Sequence, residues 1–472
     1  MELIGRTTVC STRSGGDFNN FMSKLRTCIG AVLVFVAGCK EQKTEKMGVW
    51  SGPQEIAKSS DSLSTSFALF RWNGSLLAVG GDAGTYAARI WEDDTRSWKT
   101  LSAVDSGWQP MWTEPTGDRF LTSWATIWSN KLDVNFAIGS LSLDGKLSPG
   151  PKVALPLTKA ILFPNSKPEL RINMNDRPAQ IGFLGGVIEG TGIRVPYSIT
   201  ATPVEKIGHQ TRIGNLSISA NGVFTSTDSG RTWQIEPISV HYAESPVMCR
   251  TRGFYYFFAK AGLGGIEPYE LWYSRCAADT SSWSPPETIN KSVARKLSES
   301  LHAVAEGDTV HLCWLDARNE KTRLSLSRPR AGNYEVAYSR RKDSESSWSK
   351  DVILSKGLRW AYSPSMSIEG NNVVVAWAGA KADKEGRNEW SASDIFYVVS
   401  KDSGNAWTKP IQVTDGFKLG ITSGRPQVAL HKGVIHLFYV QGKTTYKEAS
   451  AGMVKLNQPP WPIYYQQRPF PD

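Results

Sequence analysis

The chain has 472 residues, a formal charge of +10 and 18 Trp within an aromatic share of 11%. That length allows a large buried core, and 40% apolar against 21% charged residues excludes a wholly disordered chain. The basic residues are spread along the chain with no dense Lys/Arg run, which argues against nucleic acid and leaves anionic partners such as acidic glycans or a membrane surface.

The amino terminus reads as an export segment. Lys24 and Arg26 precede an apolar run over residues 29–37, which closes in Val36-Ala37-Gly38-Cys39. A charged start, a short apolar stretch and small residues before a break describe a signal peptide over 1–38, with Met22 as the expected start. The run is shorter than the roughly 20 residues that span a bilayer. The closing tetrapeptide resembles the lipobox of bacterial lipoproteins. That resemblance makes Cys39 the lipidation site, 39–48 a tether, and the protein exported and membrane-anchored, in the periplasm or at the cell surface; a monomer is expected. Cys249, Cys276 and Cys313 read as buried thiols, with Cys249 and Cys276 as the alternative pair.

From residue 49 the chain repeats. Trp98, Trp233, Trp283, Trp348 and Trp407 close successive units, and Trp50-Ser-Gly-Pro has the form of the segments that follow them. Each unit opens with strand, Gly turn and strand, as in residues 363–377 and 425–439. Further openings fall near Phe67, Phe120, Ile181, Val247 and Val304. No long segment has helical spacing of apolar residues. The prediction is an all-β chain, a β-propeller of six or seven four-stranded blades over 49–457, with a Pro- and aromatic-rich tail over 458–472. The six His show no metal-ligand spacing, and no cofactor is expected. His431 and His436 are expected to face solvent.

Two segments share the pattern Ser-x-Asp-x-Gly-x-x-Trp: Ser226, Asp228, Gly230 and Trp233, then Ser400, Asp402, Gly404 and Trp407. The Asp can accept from its own turn's amides, the Gly permits a positive φ, and the Trp buries a ring against the hairpin. This pattern resembles the Asp-box of bacterial sialidases and their propeller relatives, a family with six blades. The resemblance implies a site of a Tyr nucleophile, a Glu that activates it, an Asp acid/base and three arginines for the substrate carboxylate. Trp360-Ala-Tyr362-Ser-Pro resembles the nucleophile segment, Glu244 falls on the activating Glu, and Asp82-Ala-Gly84 resembles the acid/base segment. Arg330, with Arg318 as its competitor, and Lys260 fall on carboxylate-binding positions.

The departures are specific. Lys260 stands where the family has an arginine, and the Arg-Ile-Pro motif is missing from residues 63–67. Lys keeps the charge and loses the bidentate fork. The primary expectation is therefore a sialidase-like lipoprotein that binds or processes glycans. Two alternatives stand beside it: an exo-sialidase-type hydrolase using Tyr362, Glu244 and Asp82, and a protein-interaction or assembly platform.

Overall fold

The computed structural model describes residues 49–471 apart from 60–66, 73, 83–84, 106–118, 129–130, 142–146, 149–152, 158–170, 173–179, 183–185, 202, 208–209, 214–217, 239–242, 264–265, 290–297, 317, 319–333, 382–392, 417–420 and 444–460. The export segment, Cys39 and the tether lie outside the described residues, and residues 50–470 form one unit. Among the described residues every regular element is a strand.

The strands form six antiparallel sheets of four, one of five and one of three. Seven of them follow one another in the chain, as meanders except the second, where Leu147–Ser148 and Val153–Leu157 both pair with Lys131–Leu141. Their first strands are Phe67–Trp72, Arg119–Trp128, the pair Gln180–Gly182 and Val187–Glu189, Ala243–Arg250, Ser298–Glu306, Leu358–Glu369 and Ile421–His431. Each sheet touches the next, and the seventh touches the first, so the set closes as a ring. This is a β-propeller of seven sheets, one more than the resemblance implied. The three-stranded sheet is an insertion: its hairpin, Pro203–Ile207 and Gln210–Ile213, interrupts the third propeller sheet.

The seventh sheet joins the two ends of the described chain. Gln54–Ser59 pairs with Trp461–Pro469, which pairs with Val434–Lys443. Residues 458–472 thus contain the third strand of the sheet that closes the ring. Trp50 stands just before its fourth strand, as Trp407 does in the sixth.

Period-2 patterning builds the core. Within Asn372–Lys381, Val373, Val375 and Trp377 join a cluster with Cys313 and Tyr338 of the fifth sheet. Val374, Ala376 and Ala378 join Val428 and Leu437 of the seventh. The strand is buried on both faces, so it reads as a continuous apolar run. The seams are also hydrogen-bonded. Ser365 Oγ accepts from Val428 N at 3.1 Å, Ser367 Oγ from Leu430 N at 2.9 Å, and the Glu369 carboxylate from Lys432 N and Gly433 N at 2.9 Å each. These bonds hold the sixth and seventh inner strands side by side in the same direction.

A third-strand Tyr meets a Trp of the next sheet at four seams: Tyr273–Trp348 at 5.4 Å, Tyr338–Trp407 at 4.7 Å, Tyr397–Trp50 at 5.4 Å and Tyr465–Trp98 at 5.6 Å between ring centroids. Where the next sheet supplies an arginine, it donates to the Tyr hydroxyl, as Arg341 does to Tyr273 and Arg468 to Tyr397. At the other two seams a His of the same sheet takes that place, with His311 Nδ1 at 2.6 Å from Tyr338 Oη and His436 Nδ1 at 2.8 Å from Tyr465 Oη. His431 and His436, expected to face solvent, are 6% and 1% exposed. Packing between sheets explains the difference, because the ring of His436 lies against Trp91 of the first sheet. Cys249, Cys276 and Cys313 are buried free thiols.

Candidate functional site

The meander sorts the functional candidates to one end of the sheets. Inner strands begin there and second strands finish there. The opposite end carries the hairpin tips and the turns between third and fourth strands. Tyr362 and Glu244 stand early in inner strands, and Asp82 ends a second strand, opposite Thr85. Arg318 follows the second strand Thr309–Asp316. Lys260 lies in the second strand Phe254–Leu263, with Glu244 as its direct cross-strand partner. Arg330 lies outside the described residues, and the side chains of Glu244 and Asp82 do too.

Both Ser-x-Asp-x-Gly-x-x-Trp turns lie at the opposite end and share one set of hydrogen bonds. In the first, Ser226 Oγ donates to Asp228 Oδ1 at 2.8 Å and accepts from Gly230 N at 2.8 Å. Thr232 N donates to the same carboxylate at 2.9 Å, and Trp233 Nε1 to Gly230 O at 3.0 Å. In the second, the matching distances are 2.7 Å, 2.8 Å, 2.8 Å from Ala406 N, and 3.1 Å. The Thr232 hydroxyl and backbone bonds hold the Asp228 carboxyl down at about 2. Bonds led by the Ala406 amide lower that of Asp402.

Four successive inner strands bulge at the same level. Register shifts fall at Glu244/Val247, Glu299/His302, Tyr362/Ser365 and Gly424/Gln427. Ser300, Ser363 and Arg425 in these bulges have φ of 49°, 51° and 51°, a region non-glycine residues rarely occupy. Bulges re-aim side chains and are over-represented beside functional sites. Around the seventh-sheet bulge is a cavity of about 260 Å³, lined by Ser363, Pro364, Arg425, Gln427 and Tyr439 among others. Sequence reasoning missed Arg425. Its signal was the recurrence of x-Pro in the bulges, as Ser245-Pro246, Ser363-Pro364 and Arg425-Pro426.

Tyr362 packs in the seam between the sixth and seventh sheets. A Cβ on Gly424 would stand 3.0 Å from its hydroxyl, so the glycine makes room for the phenol. Ser393 Oγ donates to Ser423 O at 2.6 Å, which leaves it to accept from Tyr362 Oη at 2.7 Å. Tyr362 Oη, Ser393 Oγ and the Ser423 carbonyl thus form a hydrogen-bond relay that ends on the backbone. Burial raises the Tyr362 pKa, against smaller opposing effects of Ser393 and Arg425.

Arg318 is already engaged. Its Nε and Nη2 bond Asp316 at 2.8 and 2.6 Å, and Nη2 also bonds Asp351. Burial works against the charge, yet the two carboxylates make the guanidinium more basic than usual. A substrate carboxylate would have to displace one of them. Among the described residues no cluster of His, Cys, Asp and Glu fits a metal ion.

No family model matches the sequence, and no curated protein matches it. Among solved structures it is similar to a Trypanosoma rangeli sialidase bound to the inhibitor DANA, at 11% identity and a TM-score of 0.42, over 89% of this chain and 60% of that one. It is also similar to the phage phi92 endosialidase, at 12% identity and 0.39 over 90% and 69%. A third is the GH93 α-L-arabinofuranosidase of Fusarium graminearum, at 11% identity and 0.39 over 88% and 97%. The chain therefore spans about three fifths of the first of these proteins. The scores lie below 0.5, and the assignment to the β-propellers stands on the sheet topology above.

Proposed function

We propose that this chain is a glycan-directed propeller that binds an acidic saccharide at the bulged end of the sheets without hydrolysing it. The observation that carries the choice of binding over hydrolysis is the relay from Tyr362 through Ser393 to the Ser423 carbonyl. A phenol becomes a nucleophile when a base takes its proton, and burial, which raises the Tyr362 pKa, opposes that loss. Arg425 supports an anionic ligand, since it lines a cavity the size of a single sugar ring. The export segment and Cys39 extend the proposal to a lipid-anchored protein outside the cytoplasm. Replacement of Cys39 by Ala is then expected to release the protein from the membrane fraction.

The test is incubation with a fluorogenic sialoside and a glycan array, on the wild type and on Tyr362→Phe. The expected result is no turnover by either protein and retained acidic-glycan signals on the array. Turnover by the wild type that disappears in Tyr362→Phe establishes the hydrolase instead. A blank array, with a protein partner recovered in pull-downs, supports the assembly platform.

A further inference from the structure

The chain joins the ring at the hairpin end, and the point of entry is fixed by several contacts. Trp50 and Ser51 stand ahead of the fourth strand of the seventh sheet, Gln54–Ser59. Ser51 N donates to Gln467 O at 2.8 Å, Gln467 N donates to Ser51 Oγ at 2.9 Å, and Gln466 Nε2 donates to Ser51 O at 2.8 Å. The Trp50 ring packs edge-on against Tyr397 of the sixth sheet, with the Arg468 guanidinium 5.7 Å from its centroid. Gln467 lies two residues before Pro469, which pairs with Val434 beside the hairpin tip at Lys432 and Gly433. From Ser51 the fourth strand runs toward the bulged end, where Ser59 meets Trp461.

Chain length then limits where Cys39 can be. Cys39 and Trp50 are eleven residues apart. Fully extended, that stretch reaches at most about 40 Å; as a relaxed coil it spans about 18 Å. The sheet itself is about 30 Å long, from the ten residues of Val434–Lys443. A lipid on Cys39 therefore keeps the hairpin end beside the bilayer at the tether's relaxed length. Turning the bulged end to the bilayer would make the tether run the length of the sheet, within about 10 Å of its limit. The hairpin end suits a headgroup layer. Its exposed residues mix both charges, with Arg252, Lys342 and Lys401 beside Asp308, Glu345 and Asp402.

We propose that the anchored protein holds the hairpin end of its ring toward the bilayer and the bulged end away from it. The membrane surface is then the partner of the hairpin face, and ligands approach Arg425 from the side away from the membrane. This orientation rests on lipidation of Cys39 and is independent of what the bulged end binds. The test uses the full chain in its lipidated form, on vesicles of phosphatidylethanolamine and phosphatidylglycerol that carry an acceptor-labelled lipid. A donor dye is attached at Ser346→Cys, in a hairpin-end turn, or at Lys356→Cys, which follows the fourth strand Val352–Ile353 at the bulged end. Both positions are exposed, while Cys249, Cys276 and Cys313 are buried. Energy transfer from Ser346→Cys is expected to be at least about twofold that from Lys356→Cys, because about 30 Å separates the two ends. Insertion of about thirty Gly and Ser residues after Lys46 lengthens the relaxed tether to about 35 Å and is expected to remove the difference. Equal transfer from the two positions, or stronger transfer from Lys356→Cys, overturns the orientation while leaving the anchor intact. A difference that survives the long tether overturns the tether as its cause. Wild-type protein that stays off the vesicles overturns the anchor, and the orientation with it.

Discussion

Single residues at the seams carry unequal loads, and glycine shows this most clearly. Gly404 has φ +86°, and an added Cβ would overlap the Tyr338 hydroxyl. Gly433 has φ +70° with open space around it. Replacement of Gly433 by Ala is therefore expected to cost about 1 kcal/mol, for backbone strain alone. Replacement of Gly404 by Ala adds a steric clash with a buried ring and is expected to cost more than about 3 kcal/mol. Denaturant titration of the two variants checks the ranking. At Tyr362, loss of the hydroxyl leaves Ser393 bonded to Ser423 O, so Tyr362→Phe is expected to cost no more than about 1.5 kcal/mol.

Between elements, the Tyr of each repeated Tyr–Trp contact is held by an arginine of the next sheet at two seams and sits beside a histidine of its own sheet at the other two. Arg341, 3% exposed, donates to the Tyr273 hydroxyl and to Glu345 O at 2.9 and 3.1 Å. Arg341→Ala leaves that phenol unpaired beside a cavity, an expected loss of about 2–4 kcal/mol. The double change Arg341→Met with Tyr273→Phe removes both polar partners and is expected to recover more than half of it, measured by a double-mutant cycle. This scale also marks how far the sequence could be read. The Ser226 and Ser400 turns were legible because every bond in them lies within eight residues. The strand–turn–strand openings were legible through alternation. The bulge row was not, because a bulge is defined by the partner strand's register, and so Arg425 was passed over. That Trp461–Pro469 is a paired strand was not legible, because its partner, Gln54–Ser59, stands at the other end of the chain. His431 and His436 were misplaced because the first sheet, not their own strand pair, covers them.

For the whole molecule, ring closure and buried histidines set the conditions of stability. Truncation after Asn457 deletes the strand between Gln54–Ser59 and Val434–Lys443, and the expected product is a chain without a cooperative melt. His311 and His436 are pushed down to about 3, by burial first, with Arg340 and His431 respectively adding repulsion. Burial also lowers His302, to about 4. The unfolded chain takes up these protons near pH 6.5, while the native chain takes none until far lower pH. The unfolded state therefore binds more protons in this window, and stability falls as pH drops below about 6.5. His311 and His436 together give a slope of about 3 kcal/mol per pH unit between pH 6 and 4. Urea midpoints across that range check it, and replacing His436 by Gln is expected to flatten the total slope, to which His302 also contributes, by about a third.

The claim that the bulged end binds an acidic sugar is tested most directly by calorimetric titration of the full chain with sialyllactose, with product analysis afterwards. Saturable binding is expected, at least tenfold weaker in Arg425→Gln, with the sugar recovered intact. Undiminished affinity in Arg425→Gln, or free sialic acid in the recovered sample, would contradict it.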